Sequence, residues 1–541
     1  MAFAMEADLI LTNGRIWRGR DEGVCEALAV WQGKVLATGN TTEVLNLQGP
    51  ATEVIDLEGR FACPGLIDNH LHLISTGITM GWVDATSAVA PTLAALMGKL
   101  SERARTTPKG GWIRARGYDQ VKLDVGRHPT REDLDRAVPD HPVLLVRACG
   151  HVSIANSRAL ELAGVDESTP VPEGGVIGIT DGRLNGLLAE NAQNLATAAI
   201  PAFTTDELLD GIERAGRHLL SLGITSCMDA AVGQLGGFAE IQAYQLTKLQ
   251  DRLPVRVWLT LLGDPGVSIV EDCWRAGLIS GVGDDMLRIG GVKIFLDGSA
   301  GGRTAWMTEP YQGEPDNRGV QMLPDDEVEA LVGSCHDRGY QMVCHAIGDG
   351  AIEQLITAYE KALAANPDPD RRHRIEHCGF STAKQHARMK AAGILPAPQA
   401  VFIHDFGDSY VSVLGKERGL ACYPMKSWMQ MGLKPSTGSD SPVSAPNPFP
   451  NLHAMITRQT GKGTVLDEGQ QLSREEALQA YTEFGAYSQK AEAVKGRLVP
   501  GQWADIAVFD QDLLTAPPET ILSDTHCLLT VLAGRVVHDV R

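Results

Sequence analysis

Short apolar runs punctuated by Gly, Asn and Asp mark both ends of this chain. Ala7-Asp8-Leu9-Ile10-Leu11-Thr12 reads as a strand before Asn13-Gly14, a hairpin signal, with Arg15-Ile16-Trp17 as the return strand. Ala27–Trp31, Gln32-Gly33 and Lys34–Gly39 read as a second hairpin. The other end has the same pattern. Ala504–Phe509 and Leu528–Leu532 read as strands, and Ala533-Gly534 turns into Arg535–His538. Two strand-rich ends around a mixed middle predict a small β-sandwich domain built from both termini, residues 1–60 and 496–541. The alternative is two separate terminal appendages.

Between these ends, strand and helix patterns alternate. The expected strands are Phe61–Leu73, Gly223–Asp229, Pro254–Leu262, Arg288–Asp297, Gln341–Ala346, His373–Cys378, Ile394–Pro398 and Lys434–Asp440. Helical stretches such as Thr205–Leu222 and Asp325–Gly339 lie between them, the latter closing on a glycine. Eight strands alternating with helices predict an α/β fold, a (β/α)8 TIM barrel, with its first strand at 61–73 and the remainder at 204–495. The gap from Ile74 to Pro201 is far too long for one helix. It holds a strand-like run, His141–Val146, and a helix-like one, Ala155–Ala163. Residues 74–203 are therefore expected to form an inserted α+β subdomain above the barrel mouth.

Composition narrows the function classes. Hydrophobic residues make up 43% of the 541 and charged residues 21%, which suits a soluble globular protein. The formal charge of −19 argues against nucleic acid or an anionic membrane as the partner. A small molecule is the expected partner, with homo-oligomerisation left open. No run approaches the roughly 18 apolar residues of a membrane span. The first residues, with Glu6 and Asp8, do not read as a signal peptide. Ten cysteines without C-x-x-C pairs, several in apolar runs (Cys227, Cys344), suggest reduced thiols and a cytoplasmic location.

Candidate chemistry lies at the C-terminal ends of the expected strands, where barrel enzymes carry their sites. In Gly65-Leu66-Ile67-Asp68-Asn69-His70-Leu71-His72, two imidazoles sit two residues apart and face the same way on a strand. Taken alone, H-x-H fits two structural histidines equally well. Lys293 lies in the fourth strand, and His345, His377 and Asp440 end the fifth, sixth and eighth. Four neutral imidazoles and a carboxylate suit zinc or a similar divalent metal. The plainer readings are a snorkelling lysine at 293 and a capping aspartate at 440.

Across nearly its whole length the chain resembles the amidohydrolase superfamily, and more narrowly its YtcJ-like branch, which includes N-substituted formamide deformylases. The resemblance rests on the two-ended β-domain, Pro64–His72, Asp297-Gly298-Ser299, His345-Ala346-Ile347-Gly348-Asp349, Arg374-Ile375-Glu376-His377 and Gly438–Val443. It implies that His70 and His72 bind one metal and that His345 and His377 bind a second. It implies that Lys293 is carboxylated and bridges two divalent ions, with zinc expected, through its carbamate oxygens. Asp440 would bind the first ion and act as the catalytic proton acceptor for a metal-activated hydroxide, with the ions about 3.5–4 Å apart. The implied activity is hydrolysis of a C–N bond in an amide or N-substituted formamide. The same fold also hosts deaminases and lactone or carbamate hydrolases. The deaminases usually carry H-x-x-E after the fifth strand, where this chain has Gly348. A non-catalytic regulatory or binding protein on this scaffold would be expected to have lost ligands, and none is missing.

Weaker substrate-binding candidates are His151 in the insertion, Arg303 after the fourth strand, and Tyr118. His151 would orient a substrate carbonyl; a structural histidine is an equal alternative. Asp297 reads as a structural hydrogen bonder. The chain departs from the branch at Gly350, where arginine is common, and at Cys378-Gly379, where Ala-Gln is common. These small residues are expected to leave room for a bulkier substrate.

Overall fold

The computed structural model describes residues 6–147, 150, 152–172 and 175–541. It divides into two compact units, one of residues 1–76 and 212–541 and one of residues 77–211.

Seven parallel strands form the barrel in the first unit: β1 (Leu66–Leu71), β2 (Ile224–Val232), β3 (Arg256–Leu262), β4 (Leu287–Lys293), β5 (Gln341–Ala346), β6 (Arg374–His377) and β7 (Leu395–Ala397). Each pairs with the next in chain order. Burial on both faces gives their near-continuous apolar runs, as in a sheet wrapped by helices. Helices such as Asp325–Asp337, Asp349–Ala365 and Ala383–Ala392 lie between strands.

The expected eighth strand, Lys434–Asp440, forms no regular ladder, although it runs along β1. Asn69 N–H donates to the Thr437 carbonyl (3.0 Å), Asp440 N–H to His70 (2.7 Å) and His72 N–H to Ser441 (2.8 Å). Side chains intercept the remaining bonds: Ser439 N–H goes to Asp68 Oδ1, and the Asn69 carbonyl accepts from Arg374 Nη2 (2.9 Å). Pro435 has no N–H to offer.

The expected first strand, Phe61–Leu73, is also divided. Phe61–Pro64 belongs to the sandwich and Leu66–Leu71 to the barrel. Gly65 marks the handover, where a Cβ would lie 2.2 Å from Thr225 Oγ1.

The sandwich is built from both ends of the chain. One sheet orders Arg535–Asp539, Cys527–Leu532, Ile506–Phe509, Phe61–Pro64, Arg15–Trp17 and Val24–Cys25. The other orders Lys34–Gly39, Ala27–Trp31, Ala7–Thr12 and Gln48–Asp56. Leu9, Leu28, Ile506 and Val531 meet in a shared core. Two expected hairpins form, with Trp31 opposite Lys34 and Leu532 opposite Arg535. Their turns, Gln32-Gly33 and Ala533-Gly534, have positive φ at both positions, as a type I′ turn demands.

The expected hairpin at Asn13-Gly14 does not form. Asn13 has φ 50°, but Gly14 stays outside the left-handed region, so no type I′ turn closes. The chain passes instead from one sheet to the other. Ala7–Thr12 pairs with Ala27–Trp31 and Gln48–Asp56, and Arg15–Trp17 pairs with Val24–Cys25 and Phe61–Pro64.

The second unit has its own sheet, ordered Gly175–Thr180, Arg183–Glu190, Val152–Ala155, Val143–Arg147, Ile113–Tyr118 and Val83–Asp84. Helices Leu93–Thr106 and Arg131–Ala137 cover a core that includes Leu96, Leu134 and Leu145.

Candidate metal centre

On β1, alternation sets Asp68, His70 and the following His72 on one face. His70 Nε2 lies 3.4 Å and His72 Nε2 3.2 Å from Asp440 Oδ1. Donor atoms of these three residues all fall within 4.8 Å of one another. Asp440 takes φ 56°, and its N–H donates to the His70 carbonyl, so a strained turn is anchored on β1 beside the ligands. Burial alone would raise the Asp440 pKa. The imidazoles of His70 and His72 beside it, with charge from His70 and His377, outweigh it and hold the carboxyl well below its ordinary range.

His345 and His377 approach the same point from β5 and β6. Their ring centroids are 4.4 Å apart, and His377 is 5.0 Å from His70. On a regular strand Glu376 and His377 would face opposite ways. Positive φ at His377 (65°) and Cys378 (51°) breaks that alternation, and both side chains reach His70. His377 Nδ1 bonds Gln399 Oε1, while His345 Nε2 meets the Gly298 carbonyl and Asp297 Oδ1, each at 3.2 Å. Burial, then the neighbouring His345, pushes His377 well below the usual imidazole range, which favours the neutral ring.

Lys293 ends β4, fully buried. Its Nζ has no hydrogen bond among the described residues and sits 4.6 Å from the Phe295 ring. Burial lowers its pKa, while Glu376 and Asp440 pull the other way.

Sequence reasoning passed over three residues here. Glu376 bonds His70 Nδ1 and is held by Arg374 through Nε (2.8 Å) and Nη2 (2.9 Å). Arg374 and Glu376 are two apart on a buried strand, so a same-face charge pair was visible in the pattern. Asp68 accepts from Ser439 and His70 N–H groups, and burial pushes its carboxyl up to about 7. Its signal was the same i, i+2 spacing that exposed the histidines. Gln399 had none.

The donor set fits a divalent transition metal. His70 Nε2 and Lys293 Nζ are buried without hydrogen bonds among the described residues, and neutral imidazoles and a carboxylate surround them.

Arg303, with φ 58°, ion-pairs with Glu314. Tyr118 is fully buried in the core of the 77–211 unit, its hydroxyl 3.0 Å from His128 Nδ1. His151 lies outside the described residues. Asp297 accepts from the N–H groups of Trp306 (2.9 Å), Ile347 (3.0 Å) and Gly348 (2.8 Å).

The expected space at Gly350 and Gly379 is filled. A Cβ at 350 would lie 2.9 Å from the Trp306 carbonyl oxygen and 3.0 Å from its ring, and one at 379 would lie 3.2 Å from Ile347. These glycines admit neighbouring side chains and leave no added room for substrate.

Residues 53–538 match the model described as "Amidohydrolase family". YtcJ of Bacillus subtilis (strain 168) is 30% identical, over 97% of this chain and 98% of its own. The N-substituted formamide deformylase of Arthrobacter pascens is 26% identical, over 93% of this chain and 94% of its own. A crystal structure of an uncharacterized metal-dependent hydrolase from Pyrococcus horikoshii OT3 matches with a TM-score of 0.79 at 27% identity, covering 94% of this chain and 99% of that one.

Proposed function

Since the chain belongs to the amidohydrolase family, we propose that it is a metal-dependent hydrolase that cleaves the C–N bond of an amide or N-substituted formamide. The observation that carries this reading is the meeting of His70, His72 and Asp440 with His345 and His377 beside a buried Lys293. The likeness to a formamide deformylase supports the bond type.

In this reading His70, His72 and Asp440 hold one cation. His345, His377 and a carboxylated Lys293 hold a second, the carbamate replacing a repelled ammonium with oxygen donors. Divalent ions there, with zinc favoured by the imidazole-rich donor set, supply Lewis-acid polarisation of the substrate carbonyl and acidify water. Asp440, kept ionised by His70 and His72, accepts the proton of the attacking water and returns it to the departing amine. Glu376 holds His70 with Nε2 turned toward Asp440. Burial of His70, Glu376 and Lys293 keeps bulk water from these charges.

Metal analysis of the purified protein, beside a screen of N-formyl, N-acyl, lactam and carbamate compounds, tests the proposal. Bound transition metal and turnover of an N-formyl or N-acyl amide are expected. A fully loaded protein inert toward every amide would overturn it.

A further inference from the structure

A cleft of about 510 Å³ opens beside the candidate centre, at the C-terminal ends of β2, β3 and β4. Leu262 and Phe295 give it an apolar lining, continued at the rim by Val267, which is 60% exposed. Asp264 is the charged residue among those lining it. Phe295 is shared with the centre: its ring lies 4.6 Å from Lys293 Nζ and 5.3 Å from the His345 ring.

The walls are held from behind. The loop after β2 is pinned by buried Glu240, which accepts from the N–H groups of Gly233 (2.9 Å), Leu235 (2.6 Å) and Gly236 (2.6 Å). The loop after β3 is tied to β4 by Gly263 N–H to the Lys293 carbonyl (2.7 Å) and by Asp264 Oδ1 accepting from Phe295 N–H (2.9 Å). That leaves Asp264 Oδ2 without a hydrogen bond among the described residues. A cleft walled by Leu262 and Phe295, with the neutral amide of Gln234 also in its lining and one open carboxylate, selects a ligand that is apolar along most of its length and cationic at one point.

We propose that this cleft receives an arm of the substrate that is aromatic or aliphatic and carries a guanidinium or ammonium group paired with Asp264. The proposal rests on the amide-hydrolase reading and adds the substrate class to it. The chain's net charge of −19 favours the approach of such a cation. The competing view is that Asp264 serves only to cap Phe295 N–H. An asparagine would keep that acceptor and lose the charge, so Asp264→Asn separates the two.

The test is calorimetric binding of benzylguanidine and its uncharged isostere benzylurea to the full-length, metal-loaded protein. Wild type is expected to prefer the guanidine by about tenfold or more, a preference falling below about threefold in Asp264→Asn. Val267→Lys, at an exposed position where folding is not challenged, is expected to weaken guanidine binding by about threefold or more. Equal affinities in wild type, or a preference surviving in both variants, would overturn the assignment. Hydrolysis of the para-guanidinobenzyl and para-ureidobenzyl formamides distinguishes the two levels of argument. Turnover of both at equal kcat/KM removes the cationic-arm proposal alone. Turnover of neither, from a loaded protein inert toward the whole amide panel as well, removes the hydrolase reading, while the binding preference still decides the cleft.

Discussion

Glu376 accepts a hydrogen bond from His70 Nδ1 across the barrel, joining β6 to β1. Burial would raise this carboxyl. The Arg374 charge, with His70, holds it below its ordinary range, so it stays an acceptor and fixes the His70 tautomer with Nε2 facing Asp440. Glu376→Gln keeps the shape and removes the charge. Metal affinity is predicted to fall by about 10–100-fold, read by competition with a chromophoric chelator. Unchanged affinity would reduce Glu376 to a partner of Arg374 alone.

Lys293 is the second position where charge and burial conflict. Lys293→Ala is predicted to lose metal and activity together, and bicarbonate with short carboxylic acids should restore part of both. A Lys293→Ala protein with full metal content and wild-type rate would remove Lys293 from the metal ligands.

The pH dependence of stability has a marked contributor away from the metal ligands. Lys495 is buried, bonded to Ser226 Oγ and Gln489 Oε1, and burial lowers its pKa from 10.5 to about 7. Between these values the unfolded chain carries the proton and the folded chain does not. This lysine therefore penalises folding below about pH 7, and the penalty lifts as pH rises toward 10.5, by up to about 5 kcal/mol. Urea midpoints between pH 7 and 10 should rise in wild type relative to Lys495→Met. Parallel profiles would show that Lys495 stays charged.

Gly350 donates its N–H to the Trp306 carbonyl (3.0 Å) and lies against the Trp306 ring. Gly350→Arg is predicted to cost about 1–3 kcal/mol through overpacking, seen as a lower denaturation midpoint. A variant as stable as wild type, but selective against large amides, would restore the view that 350 borders the substrate.

Much of the barrel could be read along the chain because its strands are buried on both faces and interrupted by amphipathic helices. His70 and His72 were legible for a similarly local reason: residues two apart on a strand share a face. Lys293 within the fourth strand and the motif endings at His345, His377 and Asp440 were legible as positions, whereas the end of that strand at Lys293, short of the expected Asp297, was not.

Local pattern could not reveal what depends on distant partners. The Asn13-Gly14 turn carries a hairpin signal, yet its flanking strands enter different sheets, Ala7–Thr12 beside Gln48–Asp56 and Arg15–Trp17 beside Phe61–Pro64. Lys434–Asp440 reads as a strand but gives up its ladder to the side chains of Asp68, on the neighbouring β1, and Arg374, which reaches β1 from β6. Gly350 suggested open space, but Trp306, from a separate loop, packs against it.

The sequence by itself determined the alternation of elements and the residue types able to ligate a cation, since both follow from periodicity and side-chain chemistry. Only the tertiary structure decided that Glu376 and His377, neighbours on one strand, both turn to His70. That outcome depends on a left-handed backbone at His377, which packing sustains and no local preference would favour.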